Sequence, residues 1–130
     1  DRLVLTSARI IGIPWDLALP CSPACFCEDF DTDRSRAEFD ELLQGARSLL
    51  LPNASVDKET GYLWASEAVL AGSDILIAVW DGGPGHGAAG TAATVARARE
   101  RGIPVIWIPT HPPMRVRRLE PAQSERRIHS

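Results

Sequence analysis

The chain has 130 residues, of which 45% are hydrophobic and 24% are charged, a composition that suits one globular domain with one core. No apolar run reaches the roughly 18 residues that a membrane-spanning helix needs, and the first ten residues lack the apolar segment of a signal peptide. We therefore expect a cytoplasmic protein with no membrane partner.

The net charge of −3 is unevenly distributed along the chain. Residues 114–130 contain five arginines and two glutamates, so they carry +3 and residues 1–113 carry −6. The acidic body argues against a surface that coats DNA or RNA. The basic tail has little apolar content and predicts a flexible end, with a nucleic-acid-binding arm as the alternative.

The first part of the chain predicts a helix, a strand and a loop in that order. Residues 3–11 are apolar with short polar interruptions, which indicates the end of a helix that packs on a sheet. Residues 15–19 predict a short strand, and Pro20 ends it. Residues 20–34, with their prolines and acidic side chains, predict a loop.

Three cysteines, Cys21, Cys25 and Cys27, lie in this predicted loop. A structural zinc site usually needs four ligands, and here the spacing is CxxxCxC with no histidine nearby. Reduced thiols are normal in a cytoplasmic protein. We therefore predict loop cysteines and no metal site, with metal binding or redox sensing as the alternatives.

Two helices are predicted next. Ser35 and Glu38 fit a capping box, in which each side chain bonds the other residue's free backbone N–H. Apolar residues then recur at helical spacing as far as Pro52, which should end this helix. A polar linker over residues 53–60 leads to a second predicted helix over residues 62–71, which should end at a glycine.

The pattern then becomes a strand, a helix and a second strand. Residues 75–80 and 105–108 are continuous apolar runs, and residues 91–101 between them have helical spacing. Strands that are apolar on both faces and joined by a helix indicate a parallel sheet that is covered on both sides. The predicted fold class is therefore α/β, with a βαβ unit in this part of the chain.

A glycine-rich loop joins the first of these strands to the helix. It contains GHGAAG at residues 85–90, which matches GxGxxG with a strand before it and a helix after it. Ligands in open α/β sheets bind at the carboxyl ends of the strands, and free N–H groups at a helix start favour an anion. The loop therefore predicts a phosphate site, with a tight turn alone as the alternative. The candidate ligand-binding residues are Asp81, Gly82, Gly83, Gly85, His86, Gly87, Gly90 and Thr91.

One element of a dinucleotide-binding fold is missing from this region. Such folds place an acidic residue about 20 positions further on, at the end of the next strand. Here that strand is followed by Pro109, Thr110 and His111, and the next acidic residue is Glu120. We therefore do not expect an ordinary NAD-dependent dehydrogenase.

The chain resembles the SLOG superfamily of Rossmann-like domains in the stretches SDILIAVWDGGPGHGAAGTAATV and RGIPVIWI. Lonely Guy phosphoribohydrolases, DprA and bacterial nucleotide-sensing domains are related to that group. The resemblance implies a three-layer Rossmann-like fold with a parallel sheet over residues 1–113, and a pocket for a nucleotide or an NAD-derived molecule such as ADP-ribose. Relatives usually open with a strand and loop that this chain does not show, so the usual first strand is expected to be missing.

The same resemblance bears on catalysis. Related hydrolases and transferases carry GTxxE, and Thr94 occupies the position of that glutamate. A threonine cannot supply a carboxylate that attacks or stabilises a sugar carbon. We therefore favour a domain that binds or senses a nucleotide, as a homodimer or fused to an effector domain. The alternatives are a nucleotide-hydrolysing enzyme, with His86 as an acid or base, and a structural dimerisation domain.

Three side chains near the loop have two interpretations each. Asp81, at the strand end, either holds a ribose or base edge or caps N–H groups of the loop. Of Trp80 and Trp107, at least one is expected in the core, and the other is a candidate to stack on a base.

Overall fold

The computed structural model describes residues 2–28, 30–85, 87 and 90–122. Within these residues the chain is an α/β protein with five helices and five strands. It divides into two compact units, residues 1–68 (unit 1) and residues 69–130 (unit 2), with the boundary inside the fourth helix. None of the helices in the described ranges is long and apolar enough to cross a membrane.

Unit 1 is built on two short parallel strands. Its elements are α1 (Arg2–Ile10), β1 (Asp16–Ala18), α2 (Pro23–Cys27), α3 (Asp33–Gly45), β2 (Ser48–Leu50) and the first part of α4 (Lys58–Ala71). Strands β1 and β2 pair in parallel over three residues each, and the Leu19 N–H extends the ladder by donating to the Leu50 carbonyl at 3.0 Å. This confirms the strand that the sequence predicts over residues 15–19.

An ion pair holds these two strands in register. The Arg47 guanidinium donates two hydrogen bonds to the Asp16 carboxylate, at 3.1 and 2.7 Å, and the Ser48 hydroxyl donates a third at 2.7 Å. These bonds, those from Arg47 first, lower the pKa of Asp16 to about 2, and the same pair raises the pKa of Arg47. Three charge-assisted or hydroxyl bonds thus connect the start of β1 to the start of β2.

Aromatic and leucine side chains form the core of unit 1. Leu17, Leu19, Phe39 and Leu42 are buried. The indole N–H of Trp15 donates to the Leu42 carbonyl at 3.0 Å, which ties the chain before β1 to α3. Three phenylalanine rings, from Phe26, Phe30 and Phe39, pack with centroids 5.2–5.5 Å apart.

Two expectations for the first helices are wrong. Residues 20–34 are not all loop, because α2 forms there with Ser22 as its cap, whose hydroxyl accepts the Cys25 N–H at 3.3 Å. Helix α3 begins before the expected capping box, because Thr32 is the N-cap and accepts the Ser35 N–H at 3.0 Å. The cap oxygen therefore comes from Thr32, three residues upstream of the serine we expected to provide it.

The expected helix as far as Pro52 is also wrong in its last turn. After Gly45 the backbone becomes extended, and residues Ser48–Leu50 form β2. The Arg47 N–H donates to the Trp15 carbonyl at 2.7 Å, so pairing with the β1 segment replaces continued helix. The next helix, α4, starts at Lys58, earlier than the expected residue 62.

Unit 2 contains the predicted strand–helix–strand unit. Its elements are the end of α4, β3 (Leu76–Trp80), α5 (Thr91–Glu100), β4 (Val105–Pro109) and β5 (Arg117–Leu119). Strands β3 and β4 are parallel neighbours, which confirms the predicted βαβ unit. Strand β5 adds to the other side of β4 in the antiparallel direction.

The core of unit 2 lies between α5 and one face of this sheet. Its buried members are Leu70, Leu76, Ala78, Val95, Ala98 and Val105, with Trp80, Ile103 and Leu119 packed against them. On β3 the side chains alternate between the two faces, and Ile77 is 49% exposed while its neighbours are buried. The sequence led us to expect that both faces of the sheet are covered, but the face of β3 that carries Ile77 is exposed. The three-layer arrangement therefore stays a prediction.

The expectation of a flexible tail from residue 114 is wrong for Arg117–Leu119. Leu119 pairs with Val105 and packs on the core, and the Arg99 side chain donates to the Glu120 carbonyl at 2.9 Å. Pairing and burial of one leucine thus order a segment whose composition is mostly charged. Residues 123–130 of the expected tail lie outside the described residues.

The ion pair of unit 1 predicts acid-dependent stability. Because the folded pKa of Asp16 is lowered to about 2 from an ordinary value of 3.8, its contribution is complete above pH 3.8 and is lost as the pH falls through 2. Asp16→Asn should lower the urea midpoint at pH 7, and the difference from the wild type should close at about pH 2. Asp40→Asn removes an equal charge from an exposed site on α3 and serves as the control. A difference that stays constant from pH 7 to pH 2 would contradict the assignment.

Candidate functional site

The carboxyl ends of β3 and β4 lie at one edge of the sheet of unit 2. Trp80 pairs with Pro109, so the residues that follow the two strands, Asp81 and Thr110, leave the sheet side by side. This edge is where ligands bind in open α/β sheets. The glycine-rich loop starts here and returns to the start of α5 at Thr91.

The first half of the loop is a turn built around Asp81. The Asp81 carboxylate accepts the Gly83 N–H at 2.8 Å, and the Trp80 indole N–H donates to the Gly83 carbonyl at 3.0 Å. Gly82 has a φ of +85°, and a Cβ at this position would lie 2.9 Å from the Trp107 ring. Gly82 and Gly83 therefore shape the turn, and the capping interpretation of Asp81 holds for one of its oxygens.

Two tryptophans form the floor beneath this turn. The rings of Trp80 and Trp107 pack with centroids 5.1 Å apart, and the Trp107 indole N–H donates to the Trp80 carbonyl at 2.7 Å. The guanidinium carbon of Arg117 lies 5.5 Å from the centre of the Trp107 ring, within cation–π range. Both tryptophans therefore carry structural contacts, and Trp80 also packs on the core as expected.

The second half of the loop leads into α5. Gly85 and Gly87 have φ values of +70° and +76°, and Gly90 is the N-cap of the helix. Since Gly90 has no side chain to accept hydrogen bonds, the first N–H groups of α5 have no side-chain cap from it. His86, Ala88 and Ala89, which include the proposed acid or base, lie outside the described residues.

Two cavities open at this edge, and Asp81 lines both of them. The first, of about 350 Å³, is lined by Trp80, Asp81, Gly85, Gly90, Thr91 and Thr110, among others. The second, of about 190 Å³, is lined by Asp81, Trp107, His111, Arg117 and three prolines. The site thus offers a carboxylate, an open helix start, two threonines and an arginine close to one another.

The predicted site residues divide into three groups. Asp81, Gly85, Gly90 and Thr91 line the first cavity, as a ligand-binding role requires. Gly82 and Gly83 form the turn instead, and Gly87 is exposed. Thr110 and Arg117 also line these cavities and are not among the residues predicted from the sequence.

A larger cavity of about 700 Å³ lies in unit 1. Its walls are mainly leucine and phenylalanine side chains, with Thr6 and the Glu38 carboxylate as polar neighbours. Among the described residues, the lining of this cavity includes neither a helix start nor a cationic side chain that would favour an anion. We therefore place the candidate site in unit 2 despite the smaller volume there.

Metal-binding chemistry has no support in the described part of the chain. There, no group of three or more histidine, cysteine or acidic residues is placed to hold a metal ion. No disulfide joins Cys21, Cys25 and Cys27, and Cys25 at α2 is exposed.

Comparison of the chain with known protein families, curated proteins and solved structures finds no match. The likeness to the SLOG superfamily therefore rests on the motif residues themselves and stays a prediction.

The close approach of Gly82 to Trp107 predicts a position where only glycine fits. Gly82→Ala should lower the free energy of unfolding by about 1–2 kcal/mol for the positive φ and by roughly 1–3 kcal/mol more for the contact with the ring. Gly102 has a similar φ of +79°, and a Cβ there would meet nothing within 4 Å, so Gly102→Ala should cost only the first amount. Urea unfolding followed by tryptophan fluorescence measures both. Equal losses in the two variants would contradict the contact with Trp107.

Proposed function

We propose that the chain is a nucleotide-binding module that holds a phosphate at the start of α5 and a ribose at Asp81. The observation that carries the proposal is the cavity of about 350 Å³ that Asp81, Gly90 and Thr91 line together. It combines a carboxylate, which can accept hydrogen bonds from hydroxyl groups, with a helix start that favours anions. The Rossmann-like fold of the SLOG type and a sensing role beside an effector domain belong to the same proposal.

The phosphate position follows from the backbone at the start of α5. An α-helix carries partial positive charge at its N-terminus, where the first N–H groups point outward. The first turn of α5 contains no acidic residue that would repel an anion, and Thr91 adds a hydroxyl donor. Glycine at 85 and 90 removes side chains that would keep a phosphate away from these N–H groups.

The ribose position follows from the Asp81 carboxylate. One of its oxygens accepts the Gly83 N–H, which orients the group at the end of β3. An ionised carboxylate has further lone pairs that accept hydrogen bonds from ribose hydroxyls. Asp81 thus has a structural role in the turn and a binding role toward the cavity.

The size of the cavity favours a mononucleotide. Its volume of about 350 Å³ is near the lower end of small-molecule sites, which span about 300–1,000 Å³. A mononucleotide, or the mononucleotide half of NAD or ADP-ribose, suits this space.

Binding without cleavage is supported by Thr94. Its hydroxyl donates to the Gly90 carbonyl at 3.0 Å, one turn back along the helix. The side chain at the position of the GTxxE glutamate therefore bonds the backbone and supplies no carboxylate. This arrangement favours a sensor over a glycosidase that works through that glutamate.

Titration calorimetry of the full chain with AMP, NAD and ADP-ribose tests the proposal. At least one should bind saturably, and Thr91→Val should weaken binding roughly 3- to 10-fold by removing one hydroxyl donor. Asp81→Asn should weaken it roughly 10-fold while keeping an oxygen that can accept the Gly83 N–H. Asp74→Asn, an equal change at the other end of β3, should leave binding unchanged. The absence of saturable binding by all three compounds would overturn the proposal.

A further inference from the structure

We propose that Arg117 forms a second anion subsite, and that the ligand is a ribonucleotide with phosphate groups at two separate positions of one ribose. This inference rests on the proposed function, because it adds a neighbouring subsite to the same Asp81. It concerns the cavity of about 190 Å³ that Asp81, His111 and Arg117 line.

Arg117 is placed by the sheet and not by a flexible tail. It pairs with Trp107 in the antiparallel ladder between β5 and β4. Its guanidinium carbon lies 5.5 Å from the centre of the Trp107 ring, and that ring is held by the bond from its indole N–H to the Trp80 carbonyl. Less side-chain freedom is then lost when an anion binds to Arg117.

Within the described ranges, no carboxylate forms an ion pair with Arg117. Among the described residues, no ion pair or hydrogen bond engages its guanidinium, whereas Arg118 donates to Glu120 at 2.7 Å. A guanidinium presents a planar set of N–H donors that matches phosphate oxygens. His111, exposed on the same cavity, adds a further ring N–H donor.

The position of Asp81 narrows the class of ligand. Asp81 lines both cavities, so a hydroxyl bound to its carboxylate has one anion position at the start of α5 and another at Arg117. A 5′-monophosphate uses one of these positions only. In a 5′-diphosphate both phosphates are attached at the same ribose position, so they also use only one of these positions. A ribose with phosphates at its 3′ and 5′ positions uses both and leaves the 2′-hydroxyl for Asp81.

Calorimetric titration of the full chain compares AMP with adenosine 3′,5′-bisphosphate, and GMP with guanosine 3′,5′-bisphosphate. The bisphosphate of at least one pair should bind 10-fold or more tightly than its monophosphate, since a hydrogen bond between charged groups is worth roughly that factor or more. Arg117→Gln should abolish this preference by weakening the binding of the bisphosphate more than that of the monophosphate. Arg118→Gln, the neighbouring arginine on the same strand, should change neither value.

Three results decide against the proposal in different ways. Equal affinity of the wild type for the members of each pair overturns the second subsite and leaves the proposed function standing. A preference that survives in Arg117→Gln overturns the role of Arg117. Binding of none of the four nucleotides overturns the second subsite together with mononucleotide binding. Arg117→Lys keeps the charge but not the planar donor set, so it should retain part of the preference. This variant distinguishes loss of the subsite from a folding defect in Arg117→Gln.

Discussion

The hydrogen bond from the Trp107 indole to the Trp80 carbonyl is the contact on which the candidate site depends. It joins the end of β3 to β4 at the edge where both cavities open. The Trp107 ring also limits position 82 to glycine and contacts the Arg117 guanidinium. One indole thus contacts both the first turn of the glycine-rich loop and the Arg117 side chain. Because the two tryptophans are hydrogen-bonded and packed together, we expect this floor to keep its shape when a ligand binds.

The elements that were predictable from the sequence are those whose own residues carry a clear hydrophobic pattern. The strand–helix–strand unit of β3, α5 and β4 has two continuous apolar runs and a helix of regular spacing, and each signal is local. Strand β2 was missed because Leu49 and Leu50 continue the helical spacing of α3. The structure instead pairs them with a strand more than 30 residues earlier. Strand β5 was missed for the same reason, since a charged segment becomes a strand only through its pairing with β4.

The same distinction applies to the site. Asp81, Gly90 and Thr91 follow from local rules, because one ends a strand and the others begin a helix. Arg117 could not be placed by such rules, since its position depends on an antiparallel pairing that brings it opposite Trp107. Gly82 and Gly83, two of the predicted ligand-binding glycines, form the turn over Trp107. Distinguishing a turn glycine from a binding glycine needs the neighbour that the missing Cβ would meet.

An anion site in an acidic protein requires local charges that outweigh the distant ones. The chain carries a net charge of −3, but salt at physiological strength screens exposed charges beyond about 8 Å. Among the described residues that line the two cavities, the charged or anion-favouring groups are the start of α5, Asp81 and, at the second cavity, Arg117. The negative charge of Asp81 alone would oppose a phosphate, but Asp81 lines both of the cavities that offer an anion-favouring group. In the proposed site, this arrangement would favour an anion that also brings a hydroxyl donor over a bare phosphate, which is the selectivity for a sugar phosphate that we propose.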